Sequence, residues 1–203
     1  KYDLGLFEDP YKYCDVKRAK TEIFTKDLRA EARSIAAQSL VLLKNQNQLL
    51  PLKKNGTIAV IGPLADAKEN MAGTWSVATN MDKSITLVDG IKEVAGKGTN
   101  VLYAKGSNLD YDPVFETNAT MFGKTLHRDA RTSAELVAEA LKIANQSDII
   151  VAALGESAEL SGESSSRTKL GIPQEQQDLL QELLKTGKPV VLVLFTGRPL
   201  VLV

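Results

Sequence analysis

The sequence predicts an α/β fold with a mostly parallel sheet that helices cover on both faces. Its 203 residues are 43% hydrophobic, which suits a globular domain with a real core. Short, continuous apolar runs alternate with longer segments of helical periodicity. Strands that are buried on both faces have such continuous runs, and their alternation with helices is typical of parallel sheets.

Four apolar runs have the length and composition of buried strands. They are followed by polar or glycine-containing segments, as expected where a strand ends at the edge of a sheet. The predicted strands cover residues 57–63, 100–104, 148–154 and 189–195.

The helices are predicted from apolar spacing and from their end signals. Thr25 is a suitable N-cap for a first helix, whose apolar residues line one face as far as Ser39. A second helix is predicted over residues 85–94, and Ser133 is predicted to cap a third that ends near residue 144. The fourth begins at Pro173, ends near Lys185 and is closed by Gly187.

The remaining segments complete the predicted organisation. Residues 1–24 are expected to form an extended connector, and residues 25–203 to form the α/β domain. The two short apolar runs within 40–52 predict a hairpin, and 107–132 an irregular insertion. The apolar sequence at the last residues leads us to expect that the domain is incomplete at that end.

Composition excludes several classes of function. The chain has 25 lysine and arginine residues and 25 aspartate and glutamate residues. It therefore has no excess positive charge that would favour binding to nucleic acid or to an anionic membrane. No apolar stretch is long enough to span a bilayer, and no signal peptide is visible. Cys14 is the only cysteine and His127 the only histidine, which excludes an internal disulfide, a cysteine-based zinc site and most metal and Ser-His-Asp chemistry.

A long polar loop after the third predicted strand is the strongest candidate site. It carries Glu156, Glu159 and Glu163 and ends at Arg167, just before the last helix. In α/β proteins the functional site lies beyond the carboxyl ends of the strands, and long loops there are often functional. A solvated loop can also carry three glutamates without a function, and the spacing alone names no reaction.

Two other motifs have a functional and a purely structural interpretation. Trp75, the only tryptophan, lies in a loop expected at the same sheet edge. Its ring could stack on a sugar, although most tryptophans are simply packed. Gly62 and Pro63 follow the first strand, but one glycine and a proline without an N–H disfavour a phosphate-binding turn. A Rossmann or flavodoxin-like cofactor domain is therefore the disfavoured alternative.

Several blocks in order resemble glycoside hydrolase family 3, and within it the bacterial periplasmic β-glucosidase type. The similarity spans nearly the whole chain and weakens over residues 107–132. The blocks that carry it are residues 1–11, 37–45, 50–52, 58–66, 73–76 and 196–200.

The resemblance implies a three-layer α/β/α sandwich, the second domain of such enzymes. It implies that the aspartate nucleophile belongs to an N-terminal (β/α)₈ barrel outside this chain, to which residues 1–24 would connect. The acid/base of the family is a glutamate in a loop that ends in arginine, and Glu163, four residues before Arg167, occupies that place. Ser166 departs from the acidic residue that often precedes this arginine.

The implied function is that of a fragment of a retaining β-glucosidase, with Glu163 catalytic. Arg167, Trp75, Glu159 and Glu156 are expected to bind substrate or orient the loop. Retaining hydrolysis needs two carboxyl groups about 5–5.5 Å apart, so the fragment alone is expected to be inactive.

The implied partners are a β-glucoside or oligosaccharide substrate and the barrel domain, with no metal, cofactor, nucleic acid or membrane. The resemblance also implies a periplasmic location and is compatible with a homodimer of the parent. The alternative function is a non-catalytic domain that binds sugar or stabilises the barrel.

Overall fold

The computed structural model describes residues 1–73, 75–76, 79–118, 127–163 and 165–202. The chain divides into two compact units, Lys1–Leu50 and Pro51–Val203. The boundary predicted at residues 24 and 25 stays a prediction.

The first unit consists of turns and two helices, α1 (Ala19–Glu22) and α2 (Lys26–Ser39). The hydroxyl of Thr25 accepts a hydrogen bond from the Leu28 amide at 3.2 Å, so the predicted start of α2 is confirmed. The extended conformation expected before it is wrong, because turns occupy residues 2–8 and 10–13. Side chains such as Asp9, which accepts from the Tyr11 amide at 2.9 Å, stabilise these turns.

The hairpin predicted within residues 40–52 is also wrong. No strand forms there, and a short 3₁₀ helix (Gln46–Gln48) lies between the two apolar runs. The Asn45 side chain bonds both the amide and the carbonyl of Leu50, each at 3.0 Å. These bonds close the segment into a loop and occupy the Leu50 groups that a strand partner would use.

The second unit contains a four-stranded sheet in which every pair of neighbours is parallel. The order is β2-β1-β3-β4, so the central strands β1 and β3 are flanked on both sides. Its strands are β1 (Gly56–Ile61), β2 (Thr99–Ala104), β3 (Ile149–Gly155) and β4 (Val190–Phe195). The four predicted strands and their parallel arrangement are confirmed.

Within the described ranges of the second unit, four α-helices connect or cover these strands. They are α3 (Leu87–Ala95), α4 (Pro113–Asn118), α5 (Ser133–Asn145) and α6 (Gln174–Lys185). The N-cap of α5 is Thr132, one residue before the predicted cap, because Thr132 and Glu135 form a reciprocal capping box. Helix α4 lies in the segment predicted to be irregular, of which residues 119–126 fall outside the described part.

The core is split between the two faces of the sheet. On one face Ile61 and Leu154 pack with Leu179 of α6 in a fully buried cluster that α5 also joins. On the other face Val60 packs with Val88 of α3. Helices therefore cover both faces, which confirms the α/β/α sandwich and explains why the strands are apolar without alternation.

At the same edge of the sheet a glycine directly follows β1 and another is the last residue of β3. Gly62 has φ +140° and Gly155 has φ +135°, and a Cβ at Gly155 would run into the Phe195 carbonyl. The chain can therefore leave the sheet sharply at these two points. Across the described ranges, no helix combines the length and apolarity that crossing a bilayer requires.

Candidate functional site

A pocket of about 320 Å³ opens at the carboxyl ends of β3 and β4. Segments after β1, β3 and β4 contribute to it, so it lies where the sequence predicted a site. Its lining residues are Asn70, Gly73, Trp75, Glu156, Ser157, Ala158, Ser161, Gly162, Phe195, Thr196 and Gly197.

The indole of Trp75 gives the pocket an accessible aromatic surface. The residue is 71% exposed, so it is not a packed core tryptophan within this unit. The nearby Asn70 accepts a hydrogen bond from the Ala158 amide at 2.6 Å, which ties the loop after β1 to the turn after β3. Buried Ser157 also lines the pocket, and its hydroxyl has no hydrogen-bond partner in the described part of the chain.

Glu156 lies at the pocket wall as a buried carboxylate with several partners. Its side chain has no solvent exposure, and its Oε1 lies 2.5 Å from Nη1 of Arg167. Its Oε2 lies 3.4 Å from Nε of Arg198 and accepts a hydrogen bond from the Thr196 hydroxyl at 3.2 Å. Both carboxylate oxygens are therefore occupied by groups of this chain.

Glu163 lies in a different environment on the same loop. Its side chain is exposed, and in the described part of the chain it makes no hydrogen bond or ion pair. Glu163 is not among the pocket-lining residues, whereas Trp75 and Glu156 are. Glu159 belongs to the 3₁₀ helix Ala158–Ser161, but its side chain falls outside the description.

Sequence reasoning missed the polar residues that support this edge of the sheet. Arg198 had a detectable signal, because a basic residue directly after a predicted strand lies at the same edge as the glutamate loop. Gln176 had no such signal, since it lies within a polar run at the start of a helix. It is fully buried, and its Oε1 accepts a hydrogen bond from the Gly155 amide at 2.8 Å.

The segment after β2 is held at this edge by a second polar cluster. The Glu116 carboxylate accepts hydrogen bonds from the Leu109 and Asp110 amides, and its other oxygen lies 2.6 Å from Nη1 of Arg128. Nearby, hydrogen bonds from Arg131 hold the pKa of Asp129 well below its usual range. These contacts order the segment but bring no further carboxylate to the pocket lining.

Metal ligation finds no support in the described ranges. No group of three or more histidine, cysteine, aspartate and glutamate side chains is placed there to hold a metal ion.

Comparison with known families assigns the domain. Residues 40–203 match the profile of the glycosyl hydrolase family 3 C-terminal domain. The match covers most of the chain and includes the sheet, the glutamate loop and the pocket. The chain belongs to glycoside hydrolase family 3, as the resemblance of its sequence blocks predicted.

Individual relatives agree with this assignment. A periplasmic β-glucosidase of Salmonella typhimurium is 45% identical over all of this chain, and a β-xylosidase of Formosa agariphila is 34% identical over 98% of it. A β-glucosidase of Listeria innocua, solved with isofagomine, superposes with a TM-score of 0.80 at 32% identity over 98% of this chain and 24% of its own. The chain spans 27% and 25% of the two curated relatives, about a quarter of their length.

Proposed function

We propose that this chain supplies the general acid/base of a retaining β-glucosidase and that Glu163 is that residue. The aspartate nucleophile would belong to a (β/α)₈ barrel of the parent protein, joined through residues 1–24. The same glutamate would first protonate the leaving oxygen and then activate the water that releases the sugar. The isolated chain, without the nucleophile, would be inactive.

The contrast between Glu156 and Glu163 carries this proposal. The Glu156 carboxylate is buried, and Arg167, Arg198 and Thr196 already occupy both of its oxygens. The Glu163 carboxylate is exposed at the same edge of the sheet. An acid/base must reach both the substrate and water during one cycle, which an accessible carboxylate can do and an enclosed, ion-paired one cannot.

The substrate class is inferred from the relatives and from the pocket. The relative from Salmonella typhimurium is named a periplasmic β-glucosidase, and the exposed face of Trp75 offers the surface on which a sugar ring stacks. We therefore infer a terminal β-D-glucosyl residue as substrate and a periplasmic location for the parent. Arg167 would orient the loop that carries Glu163. We also propose that the parent protein can form a homodimer.

The test uses the parent enzyme with Glu163→Ala and an aryl β-glucoside that has an activated leaving group. Loss of a general acid/base typically lowers turnover by about 10²–10⁴-fold. Azide is small enough to fill the space of the missing side chain and attack the glycosyl-enzyme without base assistance. We expect azide to restore turnover and to yield β-glucosyl azide.

A matched control is Glu93→Ala, because Glu93 is an exposed glutamate near the end of α3, which leads into the start of β2 at the sheet edge opposite the pocket. Its activity should equal that of the unmodified enzyme, and the isolated chain should show no turnover. Unchanged activity in Glu163→Ala would refute the assignment and make Glu159 the next candidate. It would also favour the second function, a sugar-binding domain that uses Trp75 without contributing a catalytic group.

A further inference from the structure

We infer that Glu156, Arg167 and Arg198 form a buried charged anchor that positions the loop carrying Glu163. The inference rests on the proposed role of Glu163, and it assigns the three anchor residues as positioning residues of the reaction. We call residues 157–166 the acid/base loop.

The ion pair between Glu156 and Arg167 closes the acid/base loop at its base. Glu156 directly precedes the loop and Arg167 directly follows it, and Oε1 of the first lies 2.5 Å from Nη1 of the second. The Arg167 side chain is only 12% exposed, and its Nη2 donates a hydrogen bond to the Gly171 carbonyl at 3.2 Å. The two ends of the loop are thereby fixed to each other and to the segment that leads into α6.

Arg198 holds the interior of the same loop from the end of β4. Its Nη2 donates a hydrogen bond to the carbonyl of Leu160, which lies inside the acid/base loop. Its Nε lies 3.4 Å from Oε2 of Glu156, whose side chain is fully enclosed. One carboxylate therefore links two arginines, one at the end of the acid/base loop and one in the segment after β4.

The burial of this carboxylate makes the anchor sensitive to the loss of charge. Burying a charged group costs free energy unless a partner of opposite charge compensates it. Neutralising Glu156 would leave the guanidinium groups of Arg167 and Arg198 without the carboxylate that compensates their charge. The arginines would then turn toward water and release the loop ends. Catalysis depends strongly on distance, and a displacement of about 1 Å can cost about 10²-fold in rate.

A positioning role predicts a specific pattern of kinetics. An acid is needed most when the leaving group is basic, because an activated phenolate departs without protonation. A misplaced Glu163 should therefore lower kcat/KM for phenyl β-glucoside far more than for dinitrophenyl β-glucoside. If the anchor only stabilised the fold, its loss would reduce the amount of folded enzyme and lower kcat/KM for both substrates by the same factor.

The experiment compares Glu156→Gln with Glu93→Gln in the parent enzyme. Glutamine preserves the shape of Glu156 and removes its charge. We expect kcat/KM to fall about 10–100-fold for the phenyl glucoside and less than about 3-fold for the dinitrophenyl glucoside. Glu93→Gln should leave both unchanged. An equal loss on both substrates, or no loss, would overturn the anchor.

Arg198→Met provides a second variant if Glu156→Gln does not fold. It keeps the pair of Glu156 with Arg167 and removes the contacts of Arg198 with the Glu156 carboxylate and with the Leu160 carbonyl. The same dependence on the leaving group is expected, with partial recovery in Arg198→Lys, and an equal loss on both substrates would again overturn the anchor. Azide rescue of Glu163→Ala tests the proposed function separately: if it succeeds while both anchor variants behave as wild type, only the anchor is wrong.

Discussion

Replacing Gln176 with leucine tests whether its buried amide stabilises the end of β3. The side chain is fully buried and makes three hydrogen bonds: Oε1 accepts from the Gly155 amide at 2.8 Å, and Nε2 donates to the carbonyls of Leu109 at 2.8 Å and Gly155 at 3.0 Å. Leucine has a similar volume but satisfies none of these groups. The Gly155 amide and the Leu109 carbonyl would both be left buried without these partners.

The expected loss follows from those two backbone groups. Each buried group left unsatisfied costs about 1–3 kcal/mol, and burying the apolar leucine offsets about 1 kcal/mol. We therefore expect the free energy of unfolding to fall by about 1–5 kcal/mol. For a chain of this size that corresponds to a decrease of about 2–20 °C in Tm.

The assay is urea and thermal denaturation followed by far-UV circular dichroism, with Gln174→Leu as the matched control. Gln174 lies two residues earlier on the same helix but is exposed, where substitutions usually change stability by less than about 0.5 kcal/mol. Hydrogen exchange of the Gly155 amide should also accelerate in Gln176→Leu alone. Equal stability of the two variants would refute the reasoning.

Two further predictions concern the glycine at the end of β3 and the loss of stability at high pH. Gly155→Ala should destabilise the chain by about 3–5 kcal/mol, since its φ is +135° and the new Cβ meets the Phe195 carbonyl. The control is Gly96→Ala, because Gly96 also has a positive φ, +76°, but its new Cβ would have no atom within 4 Å. This control should cost about 1 kcal/mol. Equal decreases in Tm for Gly155→Ala and Gly96→Ala would contradict the clash with the Phe195 carbonyl. Burial, followed by the charge of Asp66, raises the pKa of Tyr103 to about 12, against about 10 in the unfolded chain. The stability that protonated Tyr103 contributes is complete below about pH 10 and is lost as the pH rises through about 12. In Tyr103→Phe, the free energy of unfolding measured with urea should therefore change less between about pH 10 and 12 than in the unmodified chain. The same pH dependence in both proteins would exclude this linkage.

The regular elements were predictable because their signals are local. The strands differ from the predicted ranges by at most two residues at either end, and Thr25 caps α2 as expected. Periodicity and capping depend on neighbours within a few positions, so the sequence displays them directly. The hairpin prediction was wrong because apolar runs indicate strands only in the absence of a competing local structure. Here the two hydrogen bonds between the Asn45 side chain and the Leu50 backbone form a loop instead.

The environments of the loop glutamates depend on contacts that the sequence does not display. Glu156 and Glu163 have similar polar surroundings in sequence, yet one is buried between two arginines and the other is exposed. Arg198 lies more than 40 positions after Glu156 and reaches it only because β4 pairs beside β3.

By itself the sequence determined the α/β class, the family and the loop in which a catalytic carboxylate was to be sought. The tertiary structure decided which glutamate is enclosed by partners, that Trp75 is exposed and which glutamine supports the end of β3. The physical reason is that burial along a strand or helix follows from a short repeat. The partner of a charged side chain follows from the order in which distant strands assemble.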